Sequence, residues 1–191
     1  MANPQTDEAL MVAYAAGDRA AFESLFARLA PRIYRFFRRA FRNESLADDL
    51  FQSTFMKVHQ SRAAYDPGRP LGPWLFSIAA RVRFDELRRQ YRLPAEATED
   101  SLDLVETQQG LASAVEDDLD RADSSRAVRA AIARLPATQR AVVSLHHDEG
   151  MTFAEIASVL GTTEGAARVR AFRAYAKIRE DMRCFVEGET T

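Results

Sequence analysis

Basic side chains recur along the last third of the chain at a spacing that suits contact with a polyanion. They are Arg168, Arg170, Arg173, Lys177 and Arg179. Between residues 164 and 179 the only acidic residue is Glu164. Cationic groups neutralise phosphates, and guanidinium groups also hydrogen-bond base edges in the major groove. The chemistry that these residues predict is therefore DNA binding.

Two short helices are predicted to position these cations. Thr152 and Glu155 form a capping box that begins the first helix, and Gly161 supplies the left-handed residue that ends it. Thr163 can then cap a second helix, which carries the cations. This pattern indicates a helix-turn-helix, whose second helix enters the major groove.

The second helix can be buried in either of two registers. One register buries a stripe of small and aliphatic residues, namely Ala167, Ala171, Ala174 and Ile178. The other register buries Val169 and Phe172, which hydrophobicity alone favours. From the residues alone both registers stay open, and they differ in which side chains face DNA.

Charge is distributed unevenly, although the net charge of the 191 residues is only −2. Residues 1–92 carry a net charge of +5, residues 93–125 carry −9 and residues 126–191 carry +2. Two basic segments that flank an acidic one indicate separate functional segments. The acidic segment is poor in aromatic residues, as expected of a flexible linker.

Apolar residues recur at intervals of three and four through residues 7–92, which predicts a helical bundle. We expect breaks at Gly17-Asp18 and at Pro31. A third helix is predicted over 46–60, and a fourth ends near Gln90.

Further helices are predicted over 127–135, where Pro136 ends the helix, and over 138–147, ahead of the helix-turn-helix. The predicted fold is therefore all-α, with two small helical domains joined by the acidic linker. Their predicted limits are 1–92, 93–125 and 126–191.

Several classes of protein are disfavoured by the composition. The single cysteine, Cys184, cannot form an internal disulfide, and no stretch of 18 apolar residues or signal-peptide start is visible. A soluble, cytoplasmic protein without membrane insertion is expected. The three histidines have neither triad-like nor metal-ligand spacing, so no catalytic residue, metal site or cofactor is predicted; they are His59, His146 and His147.

Two groups of motifs resemble a known family. Ala-Asp-Asp-Leu-Phe-Gln-Ser-Thr-Phe at 47–55, Pro-Trp-Leu-Phe-Ser-Ile-Ala at 73–79 and Asp-Glu-Leu-Arg-Arg at 85–89 resemble region two of bacterial sigma factors. Ile-Ala-Arg-Leu-Pro at 132–136, Arg140 and the helix-turn-helix resemble region four. Because both regions occur in family order without a region three, the chain resembles the extracytoplasmic-function (ECF) class of the sigma-70 family.

The resemblance implies a subunit that performs no chemistry, binds core RNA polymerase and directs it to promoters. In the family, region two docks on polymerase through the polar face of one helix. The implied contacts here are Asp48, Asp49, Gln52 and Met56. Ser53 stands where the family usually has an acidic residue.

Region two of the family also recognises and melts the −10 element, about ten base pairs upstream of the start site. The matching positions are the loop 61–72 and the arginine-rich helix after it, whose cations suit the phosphate backbone. The implied contacts are Tyr65, Arg81, Arg83, Arg88 and Arg89, with Tyr65 as a candidate for stacking on an unpaired base. We interpret Trp74 and Phe76 as core residues.

Region four of the family recognises the −35 element, about thirty-five base pairs upstream. The resemblance favours the register that buries the alanine stripe. The implied contacts are Thr163, Glu164, Arg168, Val169, Phe172 and Arg173. Glu164 lies near the positively polarised start of its helix and is a candidate acceptor for cytosine.

Other classes of function fit parts of the sequence. A stand-alone helix-turn-helix regulator would bind duplex DNA as a dimer and leave residues 46–92 without a role. An interaction protein would sequester a partner through the acidic linker and exposed helix faces. The resemblance to ECF sigma factors instead implies three partners: core RNA polymerase, promoter DNA and an anti-sigma factor that holds the protein inactive.

Overall fold

A computed structural model describes residues 5–41, 43–94, 97 and 123–188; the side chains of 123–126 and 184–188 lie outside that description. Throughout the described residues, regular secondary structure is helical, which confirms the predicted all-α fold. The α-helices there are α1 (Asp7–Ala15), α2 (Arg19–Ala40), α3 (Glu44–Ser61), α4 (Leu71–Gln90), α5 (Asp123–Ala133), α6 (Ala137–Val143), α7 (Phe153–Leu160) and α8 (Glu164–Gly188). Most of the predicted linker lies outside the described residues.

Internal contacts divide the chain into two compact units. Among the described residues, one unit consists of those up to residue 85 together with 158–160, and the other consists of those from residue 86 onward apart from 158–160. The division falls within α4, ahead of residue 92. The predicted domain limits at residues 92 and 125 stay a prediction.

In the first unit, three helices begin at a short polar side chain that accepts a backbone N–H. Thr6, Asp18 and Asn43 cap α1, α2 and α3. Gly17 has φ +103°, a conformation that favours glycine, so the predicted break between α1 and α2 is confirmed. α1 and α3 both pack against α2. The buried core includes Ile33, Phe37, Leu71, Leu75 and Phe76.

The predicted break at Pro31 is wrong, because α2 continues through it to Ala40. A proline inside a helix removes one backbone hydrogen bond and crowds the preceding turn. Here Pro31 is exposed, whereas Leu29 and Ile33 on either side of it are buried. Burial of one apolar stripe before and after the proline holds the helix together, so tertiary packing overrides the local preference.

Helix α4 begins at a carboxylate that comes from α1. The backbone N–H of Leu71 donates to Glu8 Oε1 at 3.0 Å. This hydrogen bond is the main reason that the pKa of Glu8 lies below its ordinary 4.5, while burial acts in the opposite direction. The stabilisation is therefore complete above about pH 4.5 and disappears as the pH falls through the lowered pKa.

Replacement of Glu8 by alanine is expected to lower the free energy of unfolding by about 0.5–2 kcal/mol at neutral pH, the usual cost of losing a helix cap. At a second, acidic pH below 4.5 the difference from the unmodified protein should be smaller, because protonation removes the ionised carboxylate that accepts the Leu71 N–H. Urea unfolding at both pH values measures this difference. The control is Glu23→Ala, which removes an exposed pair with Arg19 and should cost less than about 0.5 kcal/mol. Equal losses for the two variants would contradict the capping role.

In the second unit, α5 and α6 both pack against α8. Leu135, Val143 and Ala174 form a buried cluster, and Ile132 and Ile178 pack against it. Helix α5 ends shortly before Pro136, as predicted. The buried Arg140 side chain donates to the Leu135 carbonyl at 2.7 Å, which satisfies a backbone acceptor between α5 and α6.

The helix predicted over 138–147 consists of α6 followed by one π-helical turn, Ser144–Asp148. Within this turn the Ser144 hydroxyl donates to the Asp148 carboxylate at 2.9 Å. The Leu145 carbonyl accepts the N–H of Met151 at 3.1 Å, just beyond the turn. The wider turn therefore ends the helix and leads the chain into the helix-turn-helix.

Candidate nucleic-acid interface

The helix-turn-helix begins and ends as its sequence predicts. Thr152 Oγ1 accepts the Glu155 N–H at 3.3 Å, and Glu155 Oε2 accepts the Thr152 N–H at 2.8 Å, which completes the capping box of α7. Gly161 follows α7 with φ +62°. Thr163 Oγ1 accepts the Ala166 N–H at 3.2 Å and caps α8. These local bonds set the point at which the second helix starts.

Burial along α8 selects one of the two registers. Ala167, Ala171 and Ala174 are buried, whereas Val169 is 48% exposed and Phe172 is 75% exposed. Arg168 and Arg173 are exposed beside these two residues on the helix surface. The register with a buried alanine stripe is therefore confirmed, although hydrophobicity alone favoured the other.

Arg168 is held by side chains from two helices. Its guanidinium donates to Glu164 Oε1, one turn earlier on α8, and lies 5.2 Å from the centre of the Phe153 ring. Phe153 stacks on His146 with ring centres 4.6 Å apart. His146 Nδ1 donates to the Met151 carbonyl at 2.8 Å. These contacts orient Arg168 and engage the Glu164 carboxylate, which the sequence predicts as an acceptor for cytosine.

Helix α3 has one exposed polar face and one buried face. Asp49 and Gln52 are exposed, and Met56 is 59% exposed. Asp48 is only partly exposed and lies against Tyr34, whose pKa is raised by burial and then by the charge of Asp48 and a hydrogen bond to it. The buried face consists of Ala47, Leu50, Thr54 and Val58. Three of the four residues predicted to contact polymerase thus share an open face, and Asp48 lies at its edge.

A cluster of aromatic rings on α2 and α3, formed by Phe26, Phe51 and Phe55, lies partly at the surface. The Phe26 ring centre is 4.8 Å from that of Phe55 and 6.0 Å from that of Phe51, and Phe26 is 37% exposed. Phe51 and Phe55, with ring centres 5.0 Å apart, are partly exposed on α3. Half-exposed aromatic rings beside polar residues are typical of a surface that binds another protein.

The arginines of α4 are placed unequally. Arg81 and Arg89 are exposed and Arg88 is partly exposed. Arg89 makes two hydrogen bonds of 2.8 Å to the Glu86 carboxylate, and these lower the pKa of Glu86 despite its burial. Arg83 is only 1% exposed, which differs from the surface contact that the sequence predicts. The physical reason is helical periodicity, since Arg83 continues the buried stripe formed by Phe76, Ala79, Ala80 and Leu87.

The loop between α3 and α4 is closed by its own side chains. Tyr65 is buried, its hydroxyl donates to the Arg69 carbonyl at 2.6 Å, and its ring meets Trp74 edge-on with centres 5.2 Å apart. Burial also raises the pKa of Tyr65. The predicted stacking residue is thus engaged within its own loop, which corrects the expectation that its ring is open to a base. Phe76 is fully buried, as its interpretation as a core residue requires, and Trp74 is partly exposed.

Among the residues that the structure describes, no group of three or more potential metal ligands occurs. A small apolar cavity lined by Met11, Leu25, Leu71 and Trp74, among others, has a volume of about 10 Å³. This is far below what an organic cofactor needs. Across the described ranges, no helix is both long enough and apolar enough to cross a membrane.

Comparison with known proteins identifies both helical regions. Residues 25–93 match the family model described as Sigma-70 region 2, and residues 125–178 match Sigma-70, region 4. The RNA polymerase sigma factor CarQ of Myxococcus xanthus is 42% identical over 164 residues, which is 86% of this chain and 90% of CarQ. The ECF RNA polymerase sigma factor SigM of Mycobacterium tuberculosis is 30% identical over 174 residues, 91% of this chain and 83% of SigM.

Solved structures show the same fold. CnrH in complex with the cytosolic domain of CnrY is similar at a TM-score of 0.66 and 26% identity, covering 93% of this chain and 97% of that chain. The sigma factor RpoE in complex with the anti-sigma factor NepR from Bartonella quintana has a TM-score of 0.66 at 21% identity, over 85% of this chain and 96% of that chain. The family models and the relatives CarQ and SigM confirm the family resemblance of the motifs. The chain belongs to the sigma-70 family as an ECF sigma factor, a non-enzymatic subunit that directs RNA polymerase to promoters.

Proposed function

We propose that this sigma factor reads the −35 element through the exposed side of α8. The observation that supports this most directly is the burial of the alanine stripe, which leaves the opposite side of α8 open. The residues proposed to contact DNA are Thr163, Glu164, Arg168, Val169, Phe172 and Arg173. Thr163 and Glu164 are at the start of the helix, where backbone N–H groups and the helix dipole favour an acceptor.

Core RNA polymerase is proposed to dock on the polar face of α3, through Asp48, Asp49, Gln52 and Met56. The exposure of Asp49, Gln52 and Met56 supports this role. The half-exposed aromatic cluster of Phe26, Phe51 and Phe55 lies beside that face. It adds apolar surface area, which the polar residues do not supply.

For the −10 element we propose direct contacts from Arg81, Arg88 and Arg89 on α4. Arg89 must then exchange its bonds to Glu86 for bonds to a phosphate. Arg83 and Tyr65 are proposed to act from inside the fold, Arg83 by holding α4 and Tyr65 by holding the loop before it.

Control by an anti-sigma factor, and a cytoplasmic location beside the polymerase, are part of the same proposal. The solved relative RpoE is described in complex with the anti-sigma factor NepR. The alternative of a stand-alone helix-turn-helix regulator is not favoured, because the match to region 2 gives residues 25–93 a role.

Run-off transcription with bacterial core RNA polymerase and a genomic DNA library tests the proposed function. We expect defined start sites that share two upstream elements when the protein is added, and none with core alone. Failure to initiate at any defined site, together with tight duplex binding by the protein alone, would favour the regulator.

Replacement of Arg173 by alanine is expected to weaken promoter binding by about 1–3 kcal/mol, the usual cost of losing a base contact in the major groove. The loss should depend on the sequence of the −35 element, because a guanidinium distinguishes guanine from other bases. The control is Lys177→Ala, which removes an exposed cation one turn later on α8. It should weaken binding slightly and equally for all sequences. Equal behaviour of the two variants across a panel of elements would contradict base contact by Arg173.

A further inference from the structure

Two apolar side chains lie where α8 is most exposed. Phe172 is 75% exposed and Val169 is 48% exposed, and they are three residues apart on one side of the helix. Arg168 and Arg173 are exposed beside them. A cationic surface around an apolar centre suits a partner that is a polyanion with apolar groups in reach, and duplex DNA has both.

The chemistry of these two side chains limits what they can recognise. Valine and phenylalanine neither donate nor accept hydrogen bonds, so they cannot read the polar edges of guanine, cytosine or adenine. In the major groove the apolar group on a base edge is the C5 methyl of thymine. The two residues are about 4.5 Å apart along the helix axis, so one side of α8 presents both side chains to the same short stretch of DNA.

Arg168 is less available than its exposure suggests. Its guanidinium is bonded to Glu164 and lies over Phe153. A base contact by Arg168 must therefore replace an existing ion pair, whereas contact by Val169 or Phe172 displaces only water. We therefore expect Val169 and Phe172 to contact bases at a lower energetic cost than Arg168 does.

We propose that Val169 and Phe172 read the −35 element through thymine methyl groups on neighbouring base pairs, and that this contact adds a preference for thymine to the base contact proposed for Arg173. This inference rests on the proposed function, because it assumes that α8 enters the major groove of that element. To that function the inference adds the chemical group that α8 recognises on DNA, the thymine methyl.

The test uses the complete protein with core RNA polymerase. Promoters are first selected by the holoenzyme from a DNA pool randomised across the −35 element. Each thymine of a selected element is then replaced by deoxyuridine, which keeps every hydrogen-bonding group and removes only the methyl. We expect at least one replacement to weaken holoenzyme binding by about fourfold, the effect of losing one buried methyl group.

The same measurements on Phe172→Ala and Val169→Ala complete the test. In at least one of these variants the effect of the corresponding deoxyuridine should vanish, because the side chain that contacts the methyl is gone. Val128→Ala is the matched control, since it removes a 37% exposed valine from α5, and it should keep the full deoxyuridine effect.

Three results would overturn the inference. The first is that deoxyuridine has no effect at any thymine. The second is that its effect persists in both variants, which would assign the methyl contact to other residues. The third is that Phe172→Ala weakens binding to core polymerase and leaves DNA binding unchanged, which would make Phe172 a protein contact. In each case promoter-specific initiation by the unmodified protein is retained, whereas absence of initiation would refute the proposed function as well.

Discussion

Replacement of Ala174 by aspartate is expected to lower the free energy of unfolding around α5, α6 and α8 by about 3–5 kcal/mol, the range measured for a buried charge without a partner. Ala174 is fully buried and belongs to the cluster formed with Leu135 and Val143. An added carboxylate would lose its water there without gaining a hydrogen bond. Amide hydrogen exchange along α6 and α8 measures the loss.

The matched variant is Phe172→Asp, two residues earlier on the same helix. Because Phe172 is 75% exposed, this change should alter the free energy of unfolding by no more than about 0.5 kcal/mol. It should nevertheless impair promoter binding, since a carboxylate repels the DNA phosphates. An unfolded Phe172→Asp protein together with a stable Ala174→Asp protein would mean that α8 is buried in the opposite register.

The parts of the site that follow from short-range bonds could be predicted from the sequence. Thr152 and Glu155 are neighbours on one turn, and Gly161 takes a left-handed conformation that costs other residues more. These interactions join residues within a few positions of each other, so sequence spacing is enough to predict them. The same holds for the polar and apolar faces of α3, which follow from a period of 3.6 residues.

Features that depend on tertiary packing could not be predicted from sequence spacing. Pro31 is a helix breaker by local preference, yet burial on both sides of it carries α2 through. Arg83 is a cation by type, but its position on α4 places it in a buried stripe. Hydrophobicity alone favours the wrong register of α8, because the larger apolar residues, Val169 and Phe172, are those left exposed.

The contacts that orient Arg168 show the same limit at the candidate site. Phe153 and His146 belong to different helical turns, and nothing in their spacing indicates that their rings stack. Their role becomes visible only once the π-helical turn and the capping box have brought the two segments together. A residue that orients another residue from elsewhere in the sequence does not have to follow a helical spacing, so sequence periodicity does not reveal its role.

Replacement of Phe37 by alanine is expected to lower the free energy of unfolding of the first unit by about 3–5 kcal/mol, the usual cost of emptying a buried phenylalanine site. Phe37 is fully buried in α2, and its neighbour Phe36 meets the rings of both Phe37 and Phe76 at 5.6 Å. Amide hydrogen exchange along α2 and α3 measures this loss. Since α3 packs on α2, the face proposed to bind polymerase should be lost with it.

Phe26→Ala is the control that separates loss of packing from loss of a partner surface. Phe26 lies on the same helix but is 37% exposed, so its removal should cost about 1–2 kcal/mol, mostly from ring contacts with Phe51 and Phe55. Binding to core polymerase should then fall more than stability does, because the half-exposed aromatic cluster is proposed to flank the docking face. If Phe26→Ala instead destabilises as much as Phe37→Ala, with binding falling only in proportion to unfolding, the cluster is part of the core and has no separate role in docking.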